Sequence, residues 1–361
     1  MASSLINVKS SKEFWKKIKN INGITANHPL SVDLGEMANH FQSVLNNDGT
    51  NAYDYSIPLE ISLAPRHPVE ELITLEEIKT QLAKMKSGKA PGPDRVTVDM
   101  FRLAPGEFIE LLLKFYNVVW AEGRTPQNFR DAILVPIFKK GDPTEPGNYR
   151  GISLQNVLGK IFCGIVLSRL QRYVEEENLL KEQQAGFRAG YSAMDQIFTL
   201  TSIAEIQKKR GRKLCVTFID FKSAFDTVNR EALFYKLFRM GIPITLMGLI
   251  KSLYSNTCTQ ITDGVDFSER FPSARGVRQG CVLSPLLFSL FMNDFDELMP
   301  GGVEVRGTKI KCLLYADDIA ILSESEDMMQ IMLNRTHDYC QKWDLEVNTS
   351  KTKTMICSKK F

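Results

Sequence analysis

The chain has 361 residues, 43% of them hydrophobic and 24% charged, which suffices for a large core and lies outside the range of disordered proteins. Its 45 Lys and Arg against 42 Asp and Glu leave a net charge of only +3, so any case for a nucleic-acid partner rests on local clusters. Seven cysteines, odd in number and without a C-x-x-C pair, argue against a structural zinc site and for a reducing compartment. With no secretory leader in "MASSLINVKS" and no uncharged run long enough for a membrane helix, a soluble intracellular protein is expected.

Residues 1–65 read as an N-terminal helical extension and linker. "SSKEFWKKIKNI" is basic and amphipathic, and "DLGEMANHFQSVL" offers Asp33 as N-cap with Glu36 three residues on and Leu34, Met37, Phe41, Val44 and Leu45 on one face. The polar stretch "NNDGTNAYDYSIP" is the linker candidate. The main body begins near Pro68. Thr74 and Glu77 form a capping box for a helix carrying Leu75, Ile78, Leu82 and Met85, with its stop at Gly88 and the stiff loop "SGKAPGPDRV" beyond.

"DAILVPIFKKGDPTEPGNYRGISL" reads as a strand, a turn-rich loop and a returning strand that presents Lys139, Lys140 and Arg150. Such cations suit a triphosphate, although hairpin charges ordinarily only solvate. The basic run "QKKRGRK", 207–213, reads as a helix end favoured by the macrodipole, with a phosphate contact or an import patch as alternatives.

Leu214 to Ile219 form an apolar, β-rich run that ends on Asp220, followed by a helix with Asn229 as N-cap and Gly241 as stop. "CVLSPLLFSLFM" is a buried helix with Pro285 in its first turn. In "CLLYADDIAIL" two β-rich runs flank Asp317 and Asp318, as in a hairpin with an acidic tip. A solvated turn accounts for that tip alone. Asp220, at the end of a strand that reads as buried, changes the balance, because a buried carboxylate is costly unless paired or bound to a cation. If the strand and the hairpin lie side by side, three acids crowd one patch. Mg²⁺ relieves that repulsion while keeping waters and substrate phosphates as ligands, and two such ions roughly 3.5–4 Å apart clamp an in-line phosphoryl displacement.

In this order, "FIDFKSAFD", "GVRQGCVLSPLLFSLFMND" and "YADD" resemble the palm motifs of reverse transcriptases. "KSGKAPGPDRVTVDMF", "LVPIFKKGDPTEPGNYRGISL" and "EQQAGFRAGYSAMDQI" resemble the finger motifs of the non-LTR (LINE-type) retrotransposon branch, so the likeness covers about 68–361. It implies an α+β right-hand polymerase fold with fingers at 66–212 (and part of 240–275) and a ferredoxin-like palm at 213–361. The thumb is expected to be absent, the chain being a C-terminally truncated fragment. The implied reaction is RNA-directed DNA synthesis from a DNA primer and dNTPs on an RNA template, with two Mg²⁺ ions, for which Mn²⁺ can substitute. Nuclear location follows from family habit. A group II intron maturase-like enzyme, a weakly catalytic RNA-binding remnant and an adaptor that keeps the fold are the rival readings.

By the same resemblance, Asp220, Asp317 and Asp318 bind the metals, Asp318 the less directly, and the Phe221 carbonyl completes a shell. Phe225 matches the gate that excludes a 2′-hydroxyl. Gln279 and Gly280 match the loop under the nucleotide, with Arg278 facing phosphate. Lys139 and Arg150 match the triphosphate grip, with Lys140 as an alternative to the first. In "LEVNTSKTKTM" the lysine that assists the leaving pyrophosphate is Lys351, with Lys353 as the alternative. Asp226 is assigned no chemistry. Arg95 stands where the family commonly has glycine and Gly151 where it commonly has proline, which puts template contacts in doubt.

Overall fold

The computed structural model describes residues 30–47, 53–57, 67–188 and 190–357. The basic stretch expected at 10–21 lies outside them, as does the middle of the linker candidate.

Helix α1 (Leu34–Leu45) starts where Asp33 accepts from the Gly35 and Glu36 amides, as its sequence predicts. Helix α2 (Leu75–Lys84) carries the Thr74–Glu77 capping box and buries Ile78 and Leu82. It ends before Gly88, its cap falling at Met85, and Arg102 from the short α3 (Val98–Arg102) reaches back to its last carbonyls. The guanidinium thus stops the helix earlier than the glycine would. Helices α4 (Gly106–Glu122) and α5 (Gln127–Arg130) lead into strand β1 (Ala132–Phe138), which pairs antiparallel with β2 (Tyr149–Leu154). Helix α6 (Val157–Glu176) runs through the main core, and α7 (Ala193–Lys209) follows.

Strand β3 (Leu214–Ile219) is buried on both faces except at Phe218. Leu214 and Val216 pack with Ile203 of α7, while Cys215 and Ile219 join the main core. After α8 (Arg230–Arg239) and α9 (Ile244–Tyr254), strands β4 (Cys258–Ile261) and β5 (Phe271–Pro272) return to the first sheet, whose order is β2-β1-β4-β5. Helix α10 (Ser284–Phe291) is buried along its length. A small hairpin, β6 (Val303–Val305) with β7 (Thr308–Ile310), precedes β8 (Cys312–Tyr315) and β9 (Asp318–Ser323). Helix α11 (Glu326–Trp343) then packs on β9, and β10 (Lys353–Cys357) closes a second sheet of order β10-β3-β9-β8. The chain therefore leaves the second sheet after β3, adds two strands to the first, and comes back.

Helix α1 is not free of the body. Met37, Phe41 and Leu45 form one cluster with Leu134, Tyr149, Ile261 and Phe271 of the first sheet. Tyr55, from the linker candidate, stacks on Trp343 with centroids 5.8 Å apart. The basic run at 207–213 is a helix end held by ion pairs, Lys213 to Glu326 at 3.0 Å and Arg212 to Glu324 at 3.7 Å.

Candidate active site at the strand ends

The register of the second sheet brings the acids together. Ile219 of β3 pairs with Ile319 of β9, so Asp220, one residue on, comes opposite Asp318. Tyr315 pairs with Asp318 and leaves Ala316 and Asp317 as a two-residue turn. Ala316 has φ +58°, a position that favours glycine, at a cost of about 1 kcal/mol for alanine.

That turn is braced from below by "EQQAGF". The Gln184 Oε1 accepts from the Ala316 amide at 3.1 Å and from the Gly186 amide at 2.9 Å. The Ala185 amide donates to the Leu314 carbonyl, and the Leu314 amide to that of Gln183, both at 2.9 Å. A Cβ on Gly186 would stand 2.2 Å from the Ala316 nitrogen, so only glycine allows the approach.

On the other flank, "LEVNTSK" runs beside Asp220. The Asn348 amide donates to the Asp220 carbonyl at 2.7 Å, and the Asp220 amide to Thr352 Oγ1 at 3.2 Å. Lys351 Nζ lies 3.7 Å from Asp220 Oδ2, whereas Lys353 is an exposed residue of β10.

Burial, with the charges of Asp318 and Asp220, raises the Asp317 carboxyl above the ordinary range, while Arg150 draws it down. Burial also lowers Lys139, and its neighbours are Arg150 and Lys351 on the cationic side and Asp226 and Asp220 on the anionic side. Lys139 and Arg150 of the β1–β2 hairpin thus lie near enough to the acids to feel their charge.

The donor set suits a hard divalent cation. Asp220 Oδ2 is buried without a hydrogen-bond partner, and no hydrogen bond to the Phe221 carbonyl occurs among the described residues. No three acidic, histidine or cysteine side chains among the described residues form a ready-made metal cage. Mg²⁺ does not need one, since one or two carboxylates commonly hold it while waters and phosphates supply the rest.

Gln279 joins the first sheet to the loop that follows β3. Its carbonyl accepts from the Ser153 amide of β2 at 2.7 Å, and its Nε2 donates to Asp226 Oδ2 at 2.5 Å. Gly280 has φ +106°, and a Cβ there would lie 3.0 Å from the Ser153 carbonyl oxygen, so its close approach is to the first sheet. Asp226 therefore has a task that nothing in the local sequence indicates. It retains some surface yet is densely surrounded, and burial raises its carboxyl to about 6 against the pull of Gln279, Lys139 and Arg150.

Arg278 is a correction. It is buried and donates to the carbonyls of Phe129 (3.2 Å), Arg130 (2.9 Å) and Leu253 (2.6 Å), so it anchors backbone and does not face phosphate. The two departures from the family pattern have local causes. Arg95 has φ +58°, the conformation its usual glycine adopts freely, and Gly151 packs so closely on Leu134 that a Cβ would meet that side chain at 2.7 Å. The Phe225 ring is stacked on Phe288 of α10, with centroids 4.6 Å apart and planes at 18°.

The sequence matches the model of the reverse transcriptase (RNA-dependent DNA polymerase) family over residues 137–361. It is 31% identical over 287 residues to the RNA-directed DNA polymerase from mobile element jockey of Drosophila melanogaster, covering 77% of this chain and 31% of that protein. It is also 31% identical over 324 residues to the probable RNA-directed DNA polymerase from transposon BS of the same species, covering 87% and 35%. The chain thus spans about a third of the length of these relatives. Among solved structures, apo telomerase from Candida tropicalis, truncated from its C-terminal domain, superposes with a TM-score of 0.48 at 14% identity over 74% of this chain and 58% of that one. The order of motifs, the acids gathered at the strand ends and the family match lead to one conclusion: the chain belongs to the reverse transcriptase (RNA-dependent DNA polymerase) family, among relatives that are non-LTR retrotransposon polymerases.

Proposed function

We propose that this chain extends a DNA primer with dNTPs on an RNA template, the primer 3′-hydroxyl attacking the α-phosphate and pyrophosphate leaving. In this reading the first sheet and its helices are the fingers, and the second sheet, with its β-α-β-β-α-β strand order, is a ferredoxin-like palm. The single observation that carries it is the register that sets Asp220 opposite Asp318, next to the turn that carries Asp317.

Each group has a task. Asp220, Asp317, Asp318 and the Phe221 carbonyl would hold two Mg²⁺ ions, which supply activation of the attacking hydroxyl and neutralisation of phosphate charge. Arg150 and Lys139 bind the triphosphate from the fingers side. Lys351, beside Asp220, stands where it can offset charge on the departing pyrophosphate. Gln279, fixed by Asp226 and Ser153, supports the nucleotide, and Phe225 closes the space a 2′-hydroxyl would need. Catalysis is then positioning and charge stabilisation, with no covalent intermediate. Synthesis primed at chromosomal DNA would place the work in the nucleus.

The test is extension of oligo(dT) on poly(rA) with Mg²⁺, with and without chelator, for the chain and its Asp317→Asn/Asp318→Asn variant. Extension should stop with chelator and fall by on the order of 10³-fold in the variant, with its melting temperature unchanged or higher because repulsion is relieved. Equal extension by both proteins rejects the assignment of the acids. Extension by neither favours an RNA-binding remnant.

A further inference from the structure

We propose that Phe187 is a positioning residue for sugar selection, holding the Phe225 ring in the pose that excludes a ribose. The inference rests on Phe225 as the gate. Phe225 sits in a loop, not on a strand or helix, so regular backbone pairing does not fix its ring. One face is fixed by Phe288. The Phe187 ring meets it edge-on, with centroids 6.4 Å apart and planes at 90°, the arrangement favoured by the aromatic quadrupole.

Two features of Phe187 are unexplained by packing alone. The residue is 50% exposed, so it contributes little burial, and its φ is +59°, a conformation that is a true outlier for a bulky residue. Such strain persists only where neighbours over-determine it. Here they do. The preceding Gly186 is locked between Gln184 Oε1 and the catalytic turn, and its carbonyl accepts from Ser289 Oγ of α10 at 3.2 Å. The clamp that braces the acidic turn therefore also delivers a ring to Phe225, while Ser289 belongs to the helix that supplies Phe288. The turn, the gate and its backing helix meet at one backbone segment.

The experiment compares dNTP with rNTP incorporation, as ratios of kcat/KM, in Phe187→Ala, Phe187→Gly, Phe187→Tyr, Phe225→Ala and the Phe187→Ala/Phe225→Ala double variant. Phe225→Ala should lower the deoxy preference by on the order of 100-fold and Phe187→Ala by about 10-fold. In the Phe225→Ala background, Phe187→Ala should change the ratio by less than about twofold, because its effect passes through the missing ring. Phe187→Tyr should keep the preference. Phe187→Gly should lose it while melting no lower than the parent, since glycine relieves the left-handed strain. An unchanged ratio in Phe187→Ala and Phe187→Gly, with relaxation in Phe225→Ala, overturns the inference and leaves the gate standing. A Phe187 effect that persists in full without Phe225 also overturns it, by showing direct action on the substrate. No relaxation in Phe225→Ala removes the gate itself and the inference with it.

Discussion

Asp226 and Asp220 are both acids near the end of β3, yet they do different work. Asp220 has an oxygen with no hydrogen-bond partner, while Asp226 is engaged by Gln279 and sits among Lys139 and Arg150. Burial lifts the Asp226 carboxyl from 3.8 to about 6. Since its folded value lies above its unfolded one, its contribution to stability is full below about pH 4 and is lost as pH rises through about 6. Asp226→Asn, which keeps an acceptor for Gln279 but carries no charge, should therefore raise the melting temperature at pH 8 and change it little at pH 4. Thermal melts at the two values check this. The same variant removes an anion that competes with the triphosphate for Lys139 and Arg150, so its KM for dNTP at pH 8 should fall several-fold. Local sequence marks Asp226 as a polar loop residue; its partner is more than fifty positions away.

At the scale of elements, the decisive unit is the β8–β9 hairpin with the 183–187 segment beneath it. The hairpin is legible from its β-rich flanks and acidic tip, and so is the strand ending on Asp220. The brace is not, because "EQQAGF" forms one isolated parallel bridge, Gln184 to Leu314, and no regular element. Gly186→Ala would push a Cβ onto the Ala316 nitrogen. It should destabilise the protein by about 3 kcal/mol and reduce extension beyond what the lost folded fraction explains, as urea melts and rates at matched folded fraction would show. Gln184→Leu would leave the Ala316 and Gly186 amides unpaired, with an expected cost of about 2–4 kcal/mol. The α2 boundary shows a related limit. Its sequence offers Gly88 as the stop, but Arg102, from another helix, caps it earlier.

Across the whole molecule, the two sheets are held as one body by long-range contacts. Gln279 bonds to Ser153, and the chain itself crosses between sheets through β4 and β5. Arg230, buried at the start of α8, donates to the carbonyls of Gly276, Tyr254, Ser273 and Arg275. Helix α1 completes the first sheet's outer layer. Phe41→Ala, which removes a buried ring from that layer, should cost about 3–5 kcal/mol. Its amide exchange should accelerate first in β1, β2 and β4 and leave the second sheet protected, which hydrogen exchange can resolve. Uniform loss of protection would contradict the assignment of α1 to the first sheet.

The sequence by itself determined the helices near 34–45, 75–84, 230–239 and 284–291, the N-caps Asp33, Thr74 and Asn229, the strand pair around 132–154, and that acids end one strand and tip one hairpin. Those features are written in periodicity and capping within a few residues of each position. Only the tertiary structure decided that Asp220 comes opposite Asp318, that Lys351 and not Lys353 stands beside it, that Arg278 is an anchor, and that Gln184 meets the Ala316 amide, Phe187 the Phe225 ring and Asp226 the Gln279 amide. Each of those depends on strand register or on packing between residues far apart in the chain. A one-residue slip in β9 would have taken Asp318 out of register with Asp220.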